Sequence, residues 1–464
     1  MASSDPISRT SNPVSRTSNP VIRTSNYVVV ISFISALGGY LFGFDFAVIS
    51  GALPFLHIQF HLTPWLEGFL TGSLALGCII GCLIAGRISD QYGRKPGLML
   101  SAIIFAISSL GMAWSSQLNI FIGMRFAAGI GVGMASMLSP MYISEISPAE
   151  SRGRNVAINQ LTIVIGILLT NLINYTLAGH GTDAWRWMFG LGVIPSLLFL
   201  VGIYWLPESP RWLLKAGRTA EAKKILFRIG GEPFANNTSL SIQQNLARHS
   251  HTQTYASVFK KSVRPAVMVG VVLAMLQQFC GINVVFNYTS TIFKAVGANL
   301  DRQLFETVCI GAVNLIFTLL AMWQVDRIGR RPLMLIGSLG LSGSYIILSI
   351  LLQNNAATGI ISVFILLAIA IYATTIAPVF WVIISEIFPN NIRGHATSVA
   401  VIALWASYFV LVFTFPILAK ELGTYGAFYL YACICLLLFF FVKAKVKETK
   451  GKTLEDLEKT FAGH

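Results

Sequence analysis

The sequence predicts an all-α membrane protein whose twelve transmembrane helices form two parallel-repeat six-helix bundles. Three observations support this fold class. The chain of 464 residues is 55% hydrophobic and only 11% charged. Its apolar runs approach the roughly 20 residues that a helix needs to cross a bilayer, whereas a transmembrane β-barrel would show alternating strands of about ten residues. Patterns from the first half of the chain return in the second half in the same order, which is typical of a duplicated unit.

Each predicted span is one apolar run that ends at polar residues or at the Gly or Pro of a short loop. In chain order the predicted spans are 27–55, 64–86, 96–114, 118–142, 155–178, 186–206, 263–292, 305–325, 333–352, 358–388, 394–419 and 425–442. The polar segments divide the chain further. We predict a disordered N-terminal tail at 1–26, an N-terminal six-helix bundle at 27–206, a cytoplasmic linker at 207–262, a C-terminal bundle at 263–442 and a cytoplasmic tail at 443–464.

Three patterns are duplicated at nearly constant separation. The first copies begin at Asp90, Ser144 and Pro207, and the second copies follow 236, 241 and 240 residues later. The pairs are DQYGRKP and DRIGRRP, SEISPAESRG and SEIFPNNIRG, and PESPRWL and the more distant KETKGKTLE. The shared order and spacing predict two six-helix units of the same orientation. One large class of transporters is built in this way and holds its substrate between the units, near the middle of the membrane.

The basic residues indicate how the chain is oriented in the membrane. The formal net charge is +14, and 28 of the 33 Lys and Arg fall in the tails and in the loops on one side of the predicted bundles. Because Lys and Arg near helix ends favour the cytoplasm, both termini are predicted to be cytoplasmic. The same distribution argues against a nucleic-acid partner, since these residues form short loops and not one basic patch. We therefore expect a lipid bilayer as the surroundings. We also expect a monomer as the functional unit.

The linker contains a candidate surface helix. From Thr219, the sequence TAEAKKILFRIG carries Leu226, Phe227 and Ile229 among three basic residues. A basic amphipathic pattern of this kind is suited to lying on the inner surface of the membrane.

The duplicated S-E-I-x-P pattern places a glutamate at the inner end of the fourth and of the tenth predicted helix. Basic residues of the neighbouring loops are in a position to pair with these glutamates and to hold the inner face closed until the two halves rock apart. The alternative is that all of them are solvated loop charges, each worth well under 1 kcal/mol. The candidate residues of this inner-face latch are Glu145, Arg94, Arg152, Glu386, Arg330 and Arg393.

Seven motifs, in order over nearly the whole chain, resemble those of the sugar porter family of the major facilitator superfamily. They are GRISDQYGRKP, RFAAGIGVGMASMLSPMYISEISPAESRGR, PESPRWL, QQFCGINVVFNYTSTIF, DRIGRRP, WVIISEIFPNNIRG and KETKGKTLE. The last departs from the usual pattern, with Lys447 in place of proline. The chain resembles the bacterial proton-coupled glucose and xylose symporters of this family, which implies twelve helices, alternating access and a monosaccharide substrate. We expect neither a cofactor nor a metal centre.

The resemblance also implies a set of sugar ligands, namely Gln160, Gln277, Gln278, Asn283, Asn314, Trp381 and Trp405. These side chains suit a sugar, because hydroxyls and C–H faces need neutral amides and aromatic rings. Gln160 shares a polar stripe on its helix with Asn171 and Asn174, and Gly281 suggests a break in the seventh helix. Any single amide could instead tie two helices together, at about 0.6 kcal/mol. As a group the amides favour a pocket.

Three positions bear on the choice of sugar. Asn287 stands where the resembled family often has the first of two tyrosines, and Leu404 replaces a frequent polar neighbour of Trp405. Ile167 occupies a position that is Gln in bacterial xylose symporters and Ile in animal glucose facilitators. A less polar wall there suits a hexose at least as well as a pentose. Glucose is therefore the leading substrate, while xylose, galactose and other hexoses stay open.

Asp45, in the run LFGFDFAVISG of the first predicted helix, is the candidate for proton coupling. A charge at bilayer depth costs about 2.5–3.5 kcal/mol unless a partner or water meets it. Arg125 in the fourth helix is the nearest charged candidate, and it cannot shed its proton. Proton-coupled members of the resembled family carry Asp at the position of Asp45, whereas passive facilitators carry a neutral side chain. We predict that Asp45 pairs with Arg125 when ionised and releases it on protonation; a static pair that only joins two helices is the alternative.

The remaining expectations concern competing functions and two further acids. No catalytic constellation in the sequence supports an enzyme. A sugar sensor would ordinarily carry a long signalling tail, and only about 22 residues follow residue 442. Passive uniport of the same sugar is the serious alternative, and Asp45 argues against it. Glu67 and Glu306, near outer helix ends, are expected to be solvated.

Overall fold

The computed structural model describes residues 26–148, 151–248, 263–388 and 392–450, and these are helical almost throughout. The α-helices are α1 (Asn26–Phe60), α2 (Pro64–Tyr92), α3 (Arg94–Trp114), α4 (Leu118–Ile146), α5 (Arg152–Leu177), α6 (Ala184–Gly190), α7 (Val193–Trp205), α8 (Pro210–Lys215), α9 (Thr219–Arg248), α10 (Arg264–Phe279), α11 (Ile282–Ala295), α12 (Leu300–Ile328), α13 (Arg330–Gln353), α14 (Thr358–Thr374), α15 (Ile376–Ile387) and α16 (Arg393–Lys445). We call α1–α7 the N-terminal bundle and α10–α16 the C-terminal bundle.

Eleven helical segments of the described residues are long and apolar enough to cross a bilayer. The last of them, Gly394–Lys445, contains 52 residues. At 1.5 Å per residue it would extend about 78 Å, far more than the hydrocarbon core of about 30 Å. Gly423 lies inside it with φ 73° and ψ 158°, so that α16 is two crossings joined at a sharp bend. Twelve crossings result, and the predicted all-α membrane fold is confirmed.

Three predicted spans are divided in the structure. The sixth consists of α6 and α7, the seventh of α10 and α11, and the tenth of α14 and α15. The seventh breaks at Gly281, whose φ of 85° lies in the left-handed region that glycine adopts without steric cost. The two halves of this span therefore point their side chains in directions that one continuous helix does not allow.

Small residues let the helices of the N-terminal bundle approach closely. A Cβ atom added to Gly129 of α4 would overlap the carbonyl oxygen of Leu74 on α2. A Cβ atom added to Gly43 of α1 would likewise overlap the carbonyl oxygen of Ile163 on α5. Because of these contacts, α4 packs closely against α2, and α1 packs closely against α5. The close packing lies next to the residues that follow Gly43 on α1 and to those that precede Gly129 on α4.

The two bundles touch from the level of Phe42 to the outer helix ends, where "outer" denotes the side opposite to the start of α1 and the end of α16. The rings of Phe42 on α1 and Trp405 on α16 have centroids 5.7 Å apart. Farther out, the side-chain amide of Asn171 on α5 donates to the carbonyl oxygen of Thr307 on α12 at 2.7 Å. Two further ring contacts join Phe46 to Tyr408 and Trp65 to Phe413, and the hydroxyl of Ser290 donates to the carbonyl oxygen of Ser50. The outer side between the bundles is closed by these contacts.

The linker helix and two acids differ from expectation. In α9, Leu226 and Ile229 are buried in the protein while Phe227 is exposed, so only part of the apolar face is free for a lipid surface.

Glu67 is buried, and its carboxylate lies 3.1 Å from Nε2 of His57. Glu306 is buried as well, where it accepts a hydrogen bond from Ser362 and pairs with Arg302. The prediction that both acids are solvated was wrong, because neighbouring helix ends cover them.

Candidate functional site

A buried ion pair joins α1 and α4 within the membrane-spanning part of the N-terminal bundle. Nη1 of Arg125 lies 3.6 Å from Oδ2 of Asp45, and both residues are 0% exposed. Within the described part of the chain, no hydrogen bond reaches the carboxylate oxygens of Asp45 or the guanidinium nitrogens of Arg125. The ring of Phe189 lies 6.0 Å from the guanidinium carbon. The structure thus brings together the two residues predicted to pair, and the acid faces protein and not lipid.

This pair is electrostatically incomplete. A well-formed Arg–carboxylate pair has two parallel hydrogen bonds of about 2.7–2.9 Å, and buried polar atoms without such bonds cost free energy. Arg125 keeps its charge, so Asp45 is the member whose charge can change. Protonation of Asp45, entry of water or a shift of α1 against α4 would each change how well the pair is satisfied.

Three predicted sugar amides lie at the break between α10 and α11. Nε2 of Gln277 donates to the hydroxyl of Tyr372 on α14 at 2.5 Å. Nδ2 of Asn283 on α11 donates to Oε1 of Gln278 on α10. All three amides are buried. The turn at Gly281 makes the second contact possible, since Gln278 and Asn283 would not share a face in an ideal helix.

The chain of hydrogen bonds continues to α16. Nδ2 of Asn287 donates to the carbonyl oxygen of Asn283 at 2.6 Å, and the hydroxyl of Tyr408 donates to Oδ1 of Asn287 at 3.1 Å. Trp405, a predicted sugar ligand, is buried with its ring centroid 5.7 Å from that of Tyr408. We did not predict Tyr372 or Tyr408 from the sequence. A tyrosine in an apolar helix resembles a packing residue, and only the need of its hydroxyl for a partner signals more.

Three other predicted sugar ligands lie apart from this chain of hydrogen bonds. Gln160 on α5 is half-buried, Asn314 on α12 is buried, and Trp381 on α15 is 48% exposed. Within residues that the structure describes, no hydrogen bond or ring contact joins them to the amides of α10 and α11. Their role as sugar ligands stays a prediction.

Two amides of the polar stripe on α5 tie helices together. Nδ2 of Asn171 donates to the carbonyl oxygen of Thr307 across the bundles, and Nδ2 of Asn174 donates to that of Ala47 on α1 at 3.3 Å. For these two residues the alternative of helix–helix contact therefore applies. The stripe does not mark one continuous sugar surface.

At the inner end of the N-terminal bundle, Arg94 and Glu145 form a bidentate ion pair. Nε and Nη2 of Arg94 each donate to a carboxylate oxygen of Glu145 at 2.8 Å. The hydroxyl of Ser209 donates to the same carboxylate at 2.5 Å. Glu208 accepts from the backbone N–H groups of Arg94 and Lys95 at 2.9 and 3.2 Å, which caps the start of α3.

The C-terminal bundle repeats this arrangement in a looser form. Nη2 of Arg330 lies 3.3 Å from Oε1 of Glu386. Glu448 accepts from the backbone N–H groups of Arg330 and Arg331 at 3.0 Å each. Partial burial acts to raise the pKa of Glu448, but four backbone N–H donors outweigh it and hold that pKa below its ordinary value. We did not predict the two capping glutamates, Glu208 and Glu448. The duplicated patterns PESPRWL and KETKGKTLE, which each contain one of them, could have indicated them.

The latch differs from the prediction in what it joins. Each ion pair lies within one bundle, so neither pair holds the two halves together in this structure. Arg152 is exposed and forms no ion pair with a described carboxylate. The side chain of Arg393 lies outside the described residues.

Comparisons with known proteins agree with this architecture. Residues 31–461 match the family described as "Sugar (and other) transporter". The chain is 38% identical to the D-xylose-proton symporter of Escherichia coli (strain K12), over 92% of this chain and 94% of that protein. It is 37% identical to the glucose transport protein of Synechocystis sp., over 93% of this chain and 97% of that protein. A solved structure of the xylose transporter XylE from E. coli, in a partially occluded inward-open conformation, matches with a TM-score of 0.83 at 37% identity, covering 92% of this chain and 100% of that chain.

Proposed function

This chain belongs to the sugar transporter family of the major facilitator superfamily, and we propose that it is a proton-coupled monosaccharide symporter that works by alternating access. The observation that carries the proposal is the pair of Asp45 and Arg125, which is fully buried between helices and lacks hydrogen bonds from the described residues. A titratable acid in such a place supports coupling to protons. The similarity to a relative named as a D-xylose-proton symporter supports the same function.

In the proposed cycle, the charge of Asp45 selects between two arrangements of α1. The same helix carries Phe42 and Phe46, whose rings meet Trp405 and Tyr408 of the other bundle. A change in how α1 sits against Arg125 would therefore reach the contacts that close the outer side. Coupling requires that the proton and the sugar bind differently to the two states. Each unit of difference in the pKa of the acid between the states supplies about 1.4 kcal/mol.

The amides at the break between α10 and α11 are the proposed centre of the sugar site. Gln277, Gln278 and Asn283 supply neutral donors and acceptors for hydroxyls, and Trp405 supplies an aromatic face. Glucose or a related hexose is the leading substrate, because Ile167 makes the face of α5 that carries Gln160 less polar. Xylose stays open, since the chain is about equally similar to a xylose symporter and to a glucose transport protein.

The proposed state of this structure is inward-facing, with both chain termini in the cytoplasm. The outer contacts between the bundles support this state, as does the fact that each inner ion pair lies within one bundle. We propose that the inner pairs act as clips that keep the inner end of each bundle rigid while the bundles move. A monomer contains all of these parts.

Proteoliposomes that contain the purified protein test the proposal. Labelled glucose is added under an imposed proton gradient, with unlabelled xylose, galactose and arabinose as competitors, while an electrode records the external pH. Symport should concentrate the sugar inside and make the external solution more alkaline as protons enter with it. Equilibration of the sugar without a change of pH would instead establish the passive uniporter.

A further inference from the structure

A buried hydrogen bond between α11 and α16 fixes the orientation of one amide. The hydroxyl of Tyr408 donates to Oδ1 of Asn287, and Nδ2 of Asn287 donates to the carbonyl oxygen of Asn283. Asn287 and Tyr408 are both buried. Turning the amide by 180° would set its oxygen against the carbonyl oxygen of Asn283, so only one orientation satisfies both contacts.

This fixed amide lies next to the proposed sugar site. Asn283 is one helical turn before Asn287, and its side chain donates to Gln278 across the break in the seventh span. The hydroxyl of Tyr408 is thus linked to the sugar amides through Asn287 and the backbone of Asn283. Neither Asn287 nor Tyr408 was among the predicted sugar ligands.

The ring of Tyr408 meets the N-terminal bundle on its other side. Its centroid lies 5.6 Å from that of Phe46, the neighbour of Asp45 in the sequence. One side chain therefore contacts the amide chain through its hydroxyl and the outer closure through its ring.

We propose that Asn287 and Tyr408 are positioning residues of the sugar site, in which the hydroxyl of Tyr408 orients Asn287 and thereby holds Asn283 and Gln278 ready for the sugar. The inference rests on the proposed sugar transport. It also accounts for a departure from the resembled family, which often has a tyrosine at the position of Asn287. In this chain the phenolic hydroxyl at that place comes from α16 and not from α11.

The test separates positioning from simple packing by replacing one partner or both. Tyr408→Phe removes the hydroxyl and keeps the ring, and the combined variant Tyr408→Phe with Asn287→Leu replaces both polar partners by apolar groups of similar shape. Tyr345→Phe is the matched control, because Tyr345 is a buried tyrosine on α13 whose hydroxyl has no hydrogen-bond partner among the described residues. For each variant we would measure the KM and maximal rate of counterflow exchange of labelled glucose, and Tm in detergent.

Positioning predicts that Tyr408→Phe raises KM about fivefold and changes the maximal rate less than twofold, while also lowering Tm. The combined variant should regain Tm, since no buried polar group is left unpaired, but should keep the raised KM. Recovery of KM together with Tm would show a packing role only and overturn the inference. A KM for Tyr408→Phe equal to that of Tyr345→Phe would overturn it as well. If the wild-type protein exchanges none of the sugars, the proposed function fails and the inference fails with it.

Discussion

Two arginine–carboxylate pairs of the N-terminal bundle contain the same charged groups but are satisfied very differently. At the inner end, Arg94 holds Glu145 with two hydrogen bonds of 2.8 Å, and Ser209 adds a third. Within the membrane-spanning part, Arg125 and Asp45 are 3.6 Å apart, and neither group receives a hydrogen bond from the described residues. The more deeply buried pair is therefore the less complete one.

The difference separates a fixed contact from one that can change. A bidentate, charge-assisted pair is strong and geometrically specific. A buried pair without hydrogen bonds does not recover the free energy of removing its charges from water, so its balance is sensitive to a proton or to a small movement. We therefore expect transport coupling to depend on Asp45, and folding stability to depend on Glu145.

The largest effect is expected from Asp45→Asn, which changes the incomplete pair of Asp45 and Arg125. The amide cannot change its charge, so a gradient of one pH unit, which can sustain at most about tenfold accumulation for one proton per sugar, should sustain none. Counterflow exchange of labelled sugar should persist, because it needs no net proton movement. Asp183→Asn is the control, since this outer-face acid has a 66% exposed side chain and should keep accumulation. Accumulation by Asp45→Asn in proteoliposomes would contradict the coupling role.

The second largest effect is expected from Glu145→Gln, which changes the bidentate pair of Arg94 and Glu145. The substitution leaves Arg94, whose side chain is 9% exposed, without its counter-charge. Loss of one partner from a buried pair costs about 3 kcal/mol, which should lower Tm of a chain of this length by roughly 3 °C. Thermal unfolding of the purified protein in detergent measures this change. A Tm within about 1 °C of the wild-type value would show that the bidentate pair is not a fixed clip.

Glu386→Gln extends the comparison to the C-terminal bundle and should have a smaller effect. The ion pair between Arg330 and Glu386 is longer, at 3.3 Å, and the side chains of Arg330 and Glu386 are 13% and 24% exposed. We expect a loss of about 1 kcal/mol, or roughly 1 °C in Tm. Equal losses in Glu145→Gln and Glu386→Gln, measured in the same detergent, would mean that the two inner ends are equivalent after all.

The smallest effect is expected from Glu448→Gln and depends on pH. Because the pKa of Glu448 is lower in the folded protein than in the unfolded chain, its charge adds stability above the unfolded pKa of about 4.3. This contribution is lost as the pH falls through the folded pKa. Solvent screening of a half-exposed group limits the difference in Tm to about 0.5 °C at pH 7. The two proteins should converge as the pH is lowered below about 4, through the folded pKa. A constant difference across this range would argue against a role for the charge.

Much of the architecture could be predicted because it depends on local or periodic properties. Hydropathy located the spans, and the repeated motifs predicted two equivalent halves. The bend at Gly423 and the break at Gly281 fall where a glycine interrupts an apolar run. The pairing of Asp45 with Arg125 was also predicted, because few charged residues lie within the spans and each of them needs a partner.

Other parts of the site could not be predicted because several partners were chemically equivalent. Four arginines were candidates for the inner glutamates, and the packing of α3 against α4 selected Arg94 for Glu145. Many amides of the chain were possible hydrogen-bond partners for the hydroxyl of Tyr408. The register of α11 against α16 selected Asn287. Exposure was also misjudged for Glu67 and Glu306, since only the neighbouring helix ends cover them.

From the amino-acid order alone one obtains the membrane-spanning fold, the duplication and an acid with a basic partner, because these follow from composition, spacing and the cost of charge in a bilayer. The assembled helices were needed to choose each partner and to leave one ion pair incomplete and another fully bonded. They were also needed to join the predicted sugar amides to the aromatic contacts between the bundles. The physical reason is that hydrogen bonds depend on distances of a few tenths of an ångström, which arise from how whole helices cross and turn.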